Sequence, residues 1–351
     1  MSRLTRADLE ALPNYVPGRT VPGAIKLASN EVPYGPLPGV AEAVAEAVSG
    51  VHRYPDMGVN ALRTALAERY DVDPDRIATG CGSVALAEHL TRAVTMPGDE
   101  IVYAWRSFEA YPIIAAVAGV TSVQVPNRED HGHDLPAMAD AITDRTRMVL
   151  VCNPNNPTGT TVTRDEIDAF LDRVPDDVLV VLDEAYREFV TDPAVPDGLE
   201  TYGDRPNVAV LRTLSKAWGL AGLRVGFLVA QPDVAAAVRK VVTPFSTSSV
   251  AQAAALAALR ADDEMRRRVN LVIAERDRLL PALRKLLPEV PDTQANFVWL
   301  PLGDRSAEFA AVCERHRVIV RPFQGDGVRV TVGTPDEDDL FLAAAEEFFA
   351  G

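Results

Sequence analysis

Three short runs of consecutive apolar residues restrict the fold of this chain most strongly. They are RMVLVC at 147–152, VLVVLD at 178–183 and NVAVLRT at 207–213. A strand that helices cover on both faces is apolar throughout rather than alternating, so these runs predict central strands of a covered sheet. Helical patterns lie between the β-like runs, and this order predicts an α/β fold with a mostly parallel central sheet.

Changes of pattern along the 351 residues predict three parts. Residues 1–37 are rich in proline and lack periodicity, which indicates an extended arm. Residues 38–245 alternate between helical and strand patterns and form the predicted large domain. In residues 246–351, a long helical region rich in Ala and Arg precedes three strand-like runs and a last helix. We interpret this part as a smaller C-terminal α/β domain, joined by the arm.

The bulk composition limits the partners and the compartment. The net charge of -15 disfavours nucleic acid and anionic membranes as partners, because the field of the protein repels both. We find no apolar stretch long enough to span a bilayer and no signal-peptide pattern, so we expect a cytoplasmic protein. Cys81, Cys152 and Cys313 form no close pair, and we expect reduced thiols in or near the core.

Polar groups follow the three central runs directly. The first run leads into NPNNPTG with Asn156, the second ends in Asp183 and continues to Tyr186, and the third leads to Lys216. Ligands of open parallel sheets bind at the carboxyl ends of the strands, where these four side chains are expected to meet. The sequence therefore predicts a ligand crevice at this edge.

Each of these groups also has a purely structural interpretation. NPNNPTG is typical of a turn, and Asp183 is a suitable helix N-cap. Tyr186 suits packing at the edge of the core, and Lys216 suits a surface position with its stem along apolar neighbours. The pattern of residues alone leaves both interpretations open.

A glycine-rich turn precedes the helical pattern that begins near residue 82. Gly80, Gly82 and Ala85 fit G-x-G-x-x-A, where backbone N–H groups at a helix N-terminus can bind a phosphate. The same turn suits a nicotinamide dinucleotide, for which Asp99 or Glu100 would supply the acidic residue. That alternative leaves Lys216 unexplained.

Taken together, these motifs resemble those of the fold-type-I pyridoxal-phosphate aminotransferases. The motifs that carry the resemblance are NPNNPTG at 153–159, DEAY at 183–186 and SKAWGLAGLRVG at 215–226. Further segments are similar to the histidinol-phosphate aminotransferase branch: LASNEVPYGP at 27–36, HRYPD at 52–56 and VRVTVGT at 328–334. Within that branch, GCGSVAL at 80–86 and AWRSFEAYPII at 104–114 are most similar to the actinobacterial aromatic amino acid aminotransferases.

The resemblance implies pyridoxal 5'-phosphate as cofactor and assigns the residues around its ring. Lys216 would condense with the cofactor aldehyde and later move a proton. Asp183 would pair with the pyridine nitrogen, and Asn156 and Tyr186 would hydrogen-bond the phenolic oxygen. Phe108 would lie on the ring, although a core phenylalanine is its structural alternative.

The resemblance also assigns the cofactor phosphate and a dimer. The expected phosphate ligands are the Arg224 guanidinium, the Thr213 and Ser215 hydroxyls, and the backbone around Gly82, Ser83 and Val84. The alternative for Arg224 is a structural ion pair. Tyr54 would reach the phosphate of the neighbouring subunit, which implies a homodimer with shared active sites.

The substrate is expected on the other side of the cofactor. By resemblance, Arg329 clamps the α-carboxylate, and Asn156 also contacts the substrate. Arg321 would face the side-chain pocket, with an exposed arginine as the alternative. Asn30 and Tyr15, on the arm, would close over the substrate.

The leading hypothesis is transfer of the amino group between an aromatic amino acid (Phe, Tyr or Trp) and 2-oxoglutarate. Histidinol-phosphate aminotransferase is the alternative, since Arg321 with Arg329 would supply charge for a substrate phosphate. Hypotheses from other classes are an NAD-dependent oxidoreductase and a non-catalytic effector-binding protein. His131 and His133 lie two residues apart among charged residues, and we interpret them as a solvated loop, with no metal site.

Overall fold

The structure is a computed structural model that describes Leu4, Arg6 and residues 18–351. Its strands are β1 (Ile25–Lys26), β2 (Ile77–Gly80), β3 (Glu100–Trp105), β4 (Thr121–Pro126), β5 (Thr146–Cys152), β6 (Leu179–Asp183), β7 (Val208–Thr213), β8 (Gly226–Val229), β9 (Phe297–Leu300), β10 (Val318–Ile319), β11 (Arg321–Phe323) and β12 (Gly327–Thr331). Its helices are α1 (Val40–Val48), α2 (Asn60–Tyr70), α3 (Gly82–Val94), α4 (Ala110–Ala118), α5 (Leu135–Asp140), α6 (Arg164–Leu171), α7 (Gly198–Tyr202), α8 (Pro232–Val241), α9 (Ser249–Arg260), α10 (Asp262–Leu286), α11 (Ser306–Arg315) and α12 (Pro335–Ala350). Tyr15 lies outside the described residues.

A seven-stranded sheet in the order β2-β8-β7-β6-β5-β3-β4 forms the centre of the fold. Strands β3 to β7 pair in parallel, whereas β8 is antiparallel to both of its neighbours. This confirms the expected α/β fold with a mostly parallel sheet. The antiparallel direction of β8 places its amino end beside the carboxyl ends of β2 and β7, at the edge where ligands are expected.

The apolar runs occupy the middle of this sheet because both of its faces are covered. On β5, Leu150 belongs to the core on one face, and Val149 and Val151 belong to the core on the other face. On β6, Val181 and Val180 divide between the two faces in the same way. Successive side chains of a strand point to opposite faces, so burial on both faces requires an uninterrupted apolar run.

A second sheet, β11-β12-β9, is antiparallel and lies in the C-terminal part of the chain. Strand β1 pairs in parallel with β10, so residues 25–26 of the predicted arm join this part. The helical region from residue 246 consists of two helices, α9 and α10, rather than one. The division into domains at 37/38 and 245/246 stays a prediction.

The charged segment at 128–134 corrects one expectation from the sequence. His131 is partly buried and His133 is almost fully buried, so the segment is not simply a solvated loop. Burial lowers the pKa of His133 to about 4, which keeps the ring neutral. The surrounding charges suggested exposure, but tertiary packing covers this side chain.

None of the helices within the described residues is long and apolar enough to cross a membrane. In the same residues, no group of three or more His, Cys, Asp and Glu side chains is arranged to hold a metal ion. Cys152 and Cys313 are buried and Cys81 is partly buried, and all three are free thiols.

Candidate active site

A cavity of about 520 Å³ opens at the carboxyl ends of β5, β6 and β7. Strand pairing aligns Cys152 with Asp183, so the residues that follow neighbouring strands lie at one edge. The predicted site residues that line the cavity are Asn30, Ser83, Val84, Phe108, Asn156, Asp183, Tyr186, Thr213, Ser215, Lys216, Arg224, Arg321 and Arg329. The structure therefore brings together most of the residues that the sequence singled out.

Lys216 lies in this cavity rather than on the outer surface. Its Nζ donates a hydrogen bond to the Ser29 carbonyl at 3.2 Å. Burial, with further contributions from the Arg329 and Arg224 guanidinium groups, lowers the pKa of Lys216 to about 7. A large fraction of the amine is therefore neutral near pH 7, as a nucleophile or general base requires.

Asp183 ends β6 as a buried carboxylate and caps no helix. Its Oδ2 accepts a hydrogen bond from the Tyr111 hydroxyl at 2.8 Å, while its buried Oδ1 has no hydrogen-bond partner among the described residues. The short helix that follows has Tyr186 at its N-cap, so the N-cap interpretation of Asp183 is wrong. Burial raises the pKa of Asp183 to about 6. A protonated ring nitrogen of the expected cofactor would donate a hydrogen bond to the unpartnered oxygen and would favour the ionised form of the Asp183 carboxyl.

An anion cradle lies at the N-terminus of α3. Gly82 begins this helix at φ +81°, and a Cβ there would collide with the Arg224 guanidinium. Arg224 Nη1 donates to Ser215 Oγ at 3.1 Å, and Ser215 N donates to Thr213 Oγ1 at 3.1 Å. A guanidinium, hydroxyls and free helix N–H groups together suit a phosphate.

Two alternative interpretations of this cradle fail. Arg224 makes no ion pair with any residue that the structure describes, although it donates to the Ala221 carbonyl as well as to Ser215. A dinucleotide fingerprint needs its first strand in the middle of the sheet, beside the parallel strand that follows its helix, whereas β2 is an edge strand whose neighbour is the antiparallel β8. The turn at Gly80 and Ala85 is therefore not of the dinucleotide type.

Four of the predicted side chains form two hydrogen-bonded pairs in this cavity. Arg329 donates to Asn156 Oδ1 and, at 2.9 Å, to the Ala28 carbonyl. Asn30 Nδ2 donates to the Tyr186 hydroxyl at 2.9 Å. Burial raises the pKa of Tyr186 well above its usual value, so its hydroxyl keeps its proton. The arm, the NPNNPTG segment and β12 thus meet at one place.

Phe108 and Arg321 also line the cavity. The Phe108 ring is partly buried, lines the cavity and meets Tyr111 edge-on, with 5.6 Å between the ring centroids. Arg321 is buried and donates to Glu109 Oε2 at 2.8 Å, so the exposed-arginine interpretation is wrong.

Tyr54 does not reach this cavity within its own chain. Its side chain is 81% exposed and stacks on Phe245, with 4.5 Å between the ring centroids. Its assignment to the site of a neighbouring subunit stays a prediction, as do the roles of the other site residues.

Among the residues that the structure brings to the site and that the sequence interpretation missed, three have contacts or positions of note. Tyr111 contacts Asp183, Glu109 contacts Arg321, and Cys152 lines the cavity at the end of β5. The spacing Phe108-x-x-Tyr111 places two aromatic rings on one face near the start of α4, and this was the only signal for Tyr111.

The chain belongs to the family described as aminotransferase class I and II, whose family model matches residues 22–344. The fold described above is that of this class of enzyme.

Among its relatives, a protein named aromatic amino acid aminotransferase from Streptomyces avermitilis is 59% identical over 98% of this chain and 97% of that protein. A protein of the same name from Rhodococcus jostii is 55% identical over 98% of this chain and 96% of that protein. Among solved structures, histidinol-phosphate aminotransferase from Sinorhizobium meliloti, in complex with pyridoxal-5'-phosphate, has a TM-score of 0.88 at 28% identity. That match covers 100% of this chain and 98% of the solved chain.

Proposed function

We propose that this protein is a pyridoxal-phosphate-dependent aminotransferase that moves the amino group between an aromatic L-amino acid and 2-oxoglutarate. The observation that carries the chemistry is Lys216, a lysine with a pKa near 7 in the same cavity as the partly unpartnered carboxylate of Asp183. The substrate class is supported by the names of relatives that match almost the whole chain at 52–59% identity.

The cavity has the donor set that this cofactor requires. The cradle at Gly82, Ser215 and Arg224 suits the phosphate, and the unpartnered Asp183 oxygen suits a protonated ring nitrogen. Asn156 and Tyr186 would hydrogen-bond the phenolic oxygen, and Phe108 would lie against the ring. When bound, the cofactor supplies an electron sink for charge that develops at the substrate Cα.

In this proposal, the residues of the chain position the substrate and move its proton. Arg329 holds the α-carboxylate with two parallel hydrogen bonds. Lys216 takes the proton from the substrate Cα and releases it again later in the reaction. A pKa near neutrality favours both transfers. Asp183 keeps the ring nitrogen protonated, and the neutral Tyr186 hydroxyl donates to the phenolic oxygen.

Histidinol phosphate is the second candidate substrate, and a specific observation supports it. The chain shares its fold with the Sinorhizobium meliloti histidinol-phosphate aminotransferase, and Arg321 and Arg329 both line the cavity. Against this candidate, Arg321 is already paired with Glu109, so its charge is compensated without a substrate phosphate.

The proposal includes a homodimer in the cytoplasm. Tyr54, Met57 and Phe245 are exposed; Tyr54 stacks on Phe245, and Met57 lines a surface pocket together with Phe245, which suits a surface covered by a second copy. Size-exclusion chromatography with light scattering should give about twice the chain mass. A monomer that retains full activity would contradict the shared site.

The spectrum of the purified holoenzyme tests the cofactor and the lysine together. We expect a visible absorbance band that borohydride abolishes, and peptide mapping should find the reduced cofactor on Lys216. A colourless active enzyme, or a label on another residue, would contradict the proposed mechanism.

Separate half-reactions test the substrate. Phenylalanine, tyrosine and histidinol phosphate are mixed one at a time with holoenzyme, and the loss of the visible band is followed. We expect phenylalanine and tyrosine to react much faster. If histidinol phosphate is the faster donor, the aromatic assignment is wrong and the second candidate replaces it.

A further inference from the structure

Arg321 and Arg329 form a cross-strand pair at the substrate side of the cavity. They are direct partners in the antiparallel register of β11 and β12, so their side chains leave the same face of the sheet. Their Cβ atoms are expected about 5 Å apart, and like charges directly opposite each other destabilise a sheet. The cost of this like-charge pair therefore depends on the groups that accept hydrogen bonds from each arginine.

Two acceptors of Arg329 are neutral, whereas the acceptor of Arg321 is a carboxylate. Arg329 donates to the neutral oxygens of Asn156 and Ala28. Arg321 donates to the carboxylate of Glu109, with 2.8 Å between Nη2 and Oε2. The Arg321 side chain is 11% exposed and that of Glu109 is 29% exposed, so water screens this ion pair less than a surface pair.

Glu109 is well placed to affect the substrate. It is the N-cap residue of α4, it follows Phe108 directly, and it lines the cavity. Phe323 also lines the cavity, and the Arg321 guanidinium lies 5.3 Å from its ring centroid. This end of the cavity therefore combines two aromatic rings with a compensated ion pair.

We propose that Glu109 is a specificity-determining residue that cancels the charge of Arg321 and thereby favours uncharged aromatic side chains over side chains with a carboxylate or phosphate. The inference rests on the proposed function, because it concerns the side-chain pocket of the same reaction. A distal acidic group, that of 2-oxoglutarate included, would meet the Glu109 carboxylate beside Arg321, so it binds less tightly than it would beside an unpaired Arg321 without being excluded.

The test compares two amino donors in the holoenzyme and in Glu109→Gln. In a ping-pong enzyme, kcat/KM for a donor reports only that donor's half-reaction, so L-glutamate and L-phenylalanine can be compared directly. We expect Glu109→Gln to raise the glutamate-to-phenylalanine ratio of kcat/KM about tenfold, since Arg321 then faces the substrate with its full charge. The ratio of kcat/KM for histidinol phosphate to that for phenylalanine should also rise.

Arg321→Gln is the opposite variant and keeps the test decisive if Glu109→Gln folds poorly. It leaves the Glu109 carboxylate without its cation, so the glutamate-to-phenylalanine ratio should fall below that of the unmodified enzyme. The double variant should not show the raised glutamate-to-phenylalanine ratio that is expected for Glu109→Gln. Glu314→Gln is the matched control, because it removes an exposed ion pair with Arg19 at 2.9 Å and should leave the ratio unchanged.

Two outcomes would overturn the proposal while the proposed function stands. In one, Glu109→Gln lowers kcat/KM for both donors by the same factor, which indicates a purely structural role for the ion pair. In the other, the ratio changes equally in Glu314→Gln. An unmodified holoenzyme that turns over glutamate but neither phenylalanine nor tyrosine would instead contradict the proposed function itself.

Discussion

The two sides of the cavity are built in different ways. On the proposed cofactor side, Asp183 ends β6, Asn156 and Lys216 lie a few residues after β5 and β7, and the pairing of these strands sets their relative positions. On the substrate side, Arg321 meets Glu109 across 212 positions of sequence. The first side is fixed by one sheet, whereas the second depends on how distant segments pack. We therefore expect changes on the first side to reduce all reactions alike and changes on the second to alter binding and selectivity.

Lys216→Ala should have the largest effect. In the proposed mechanism this amine moves the Cα proton, so we expect kcat to fall about 10⁴-fold for every donor. Steady-state kinetics with phenylalanine and glutamate measures the loss. Lys240→Ala, at the exposed end of α8, is the control and should keep full activity. A loss restricted to one donor would contradict the expected difference between the two sides of the cavity.

Asp183→Asn should come next. The amide has no charge to keep the ring nitrogen protonated, so kcat should fall about 10³-fold with little change in the ratio between donors. The measurement is kcat for both donors at saturating cofactor. Asp204→Asn, a change to a fully exposed carboxylate, serves as control. A donor-dependent loss would place Asp183 functionally on the substrate side.

Arg329→Lys probes the substrate side with a smaller effect. An ammonium cannot form two parallel hydrogen bonds to a carboxylate, so kcat/KM should fall about 10²-fold, mainly through a higher KM. Arg305→Lys, on an exposed side chain, is the matched control. A loss in kcat alone, at unchanged KM, is the result that would contradict a carboxylate clamp.

Tyr111→Phe should have the smallest effect, and the size of this effect should depend on pH. The Tyr111 hydroxyl lowers the pKa of Asp183, so its removal raises that pKa above its present value of about 6. Protonated Asp183 cannot pair with a protonated ring nitrogen, and the loss should therefore be larger at pH 6 than at pH 8. We expect about a fivefold decrease in kcat at the lower pH.

The pH profile of the variant, set beside that of the unmodified enzyme, checks this prediction. A loss that is independent of pH would show that Tyr111 only packs against Phe108. Tyr202→Phe is a useful comparison, because that ring is buried away from the cavity.

The two sides of the cavity also differ in how far the sequence predicts them. The central strands, and the polar residues that end them, were readable because an uninterrupted apolar run and its next residue are local features. The contact of Tyr111 with Asp183 joins residues 72 positions apart, and no local pattern specifies it. His133 shows the converse: its neighbours in sequence are charged, but packing buries it. Sequence patterns also did not reveal that β8 runs antiparallel.

The register of β11 and β12 has a consequence for redesigning this enzyme. Because main-chain pairing fixes the two arginines opposite each other, the spacing of their Cα atoms does not depend on the surrounding side chains. Under the proposed function, Arg329 can therefore keep its place beside the substrate α-carboxylate while the residue facing Arg321 is varied. A saturation library at position 109 alone would explore substrate preference at little risk to the catalytic step.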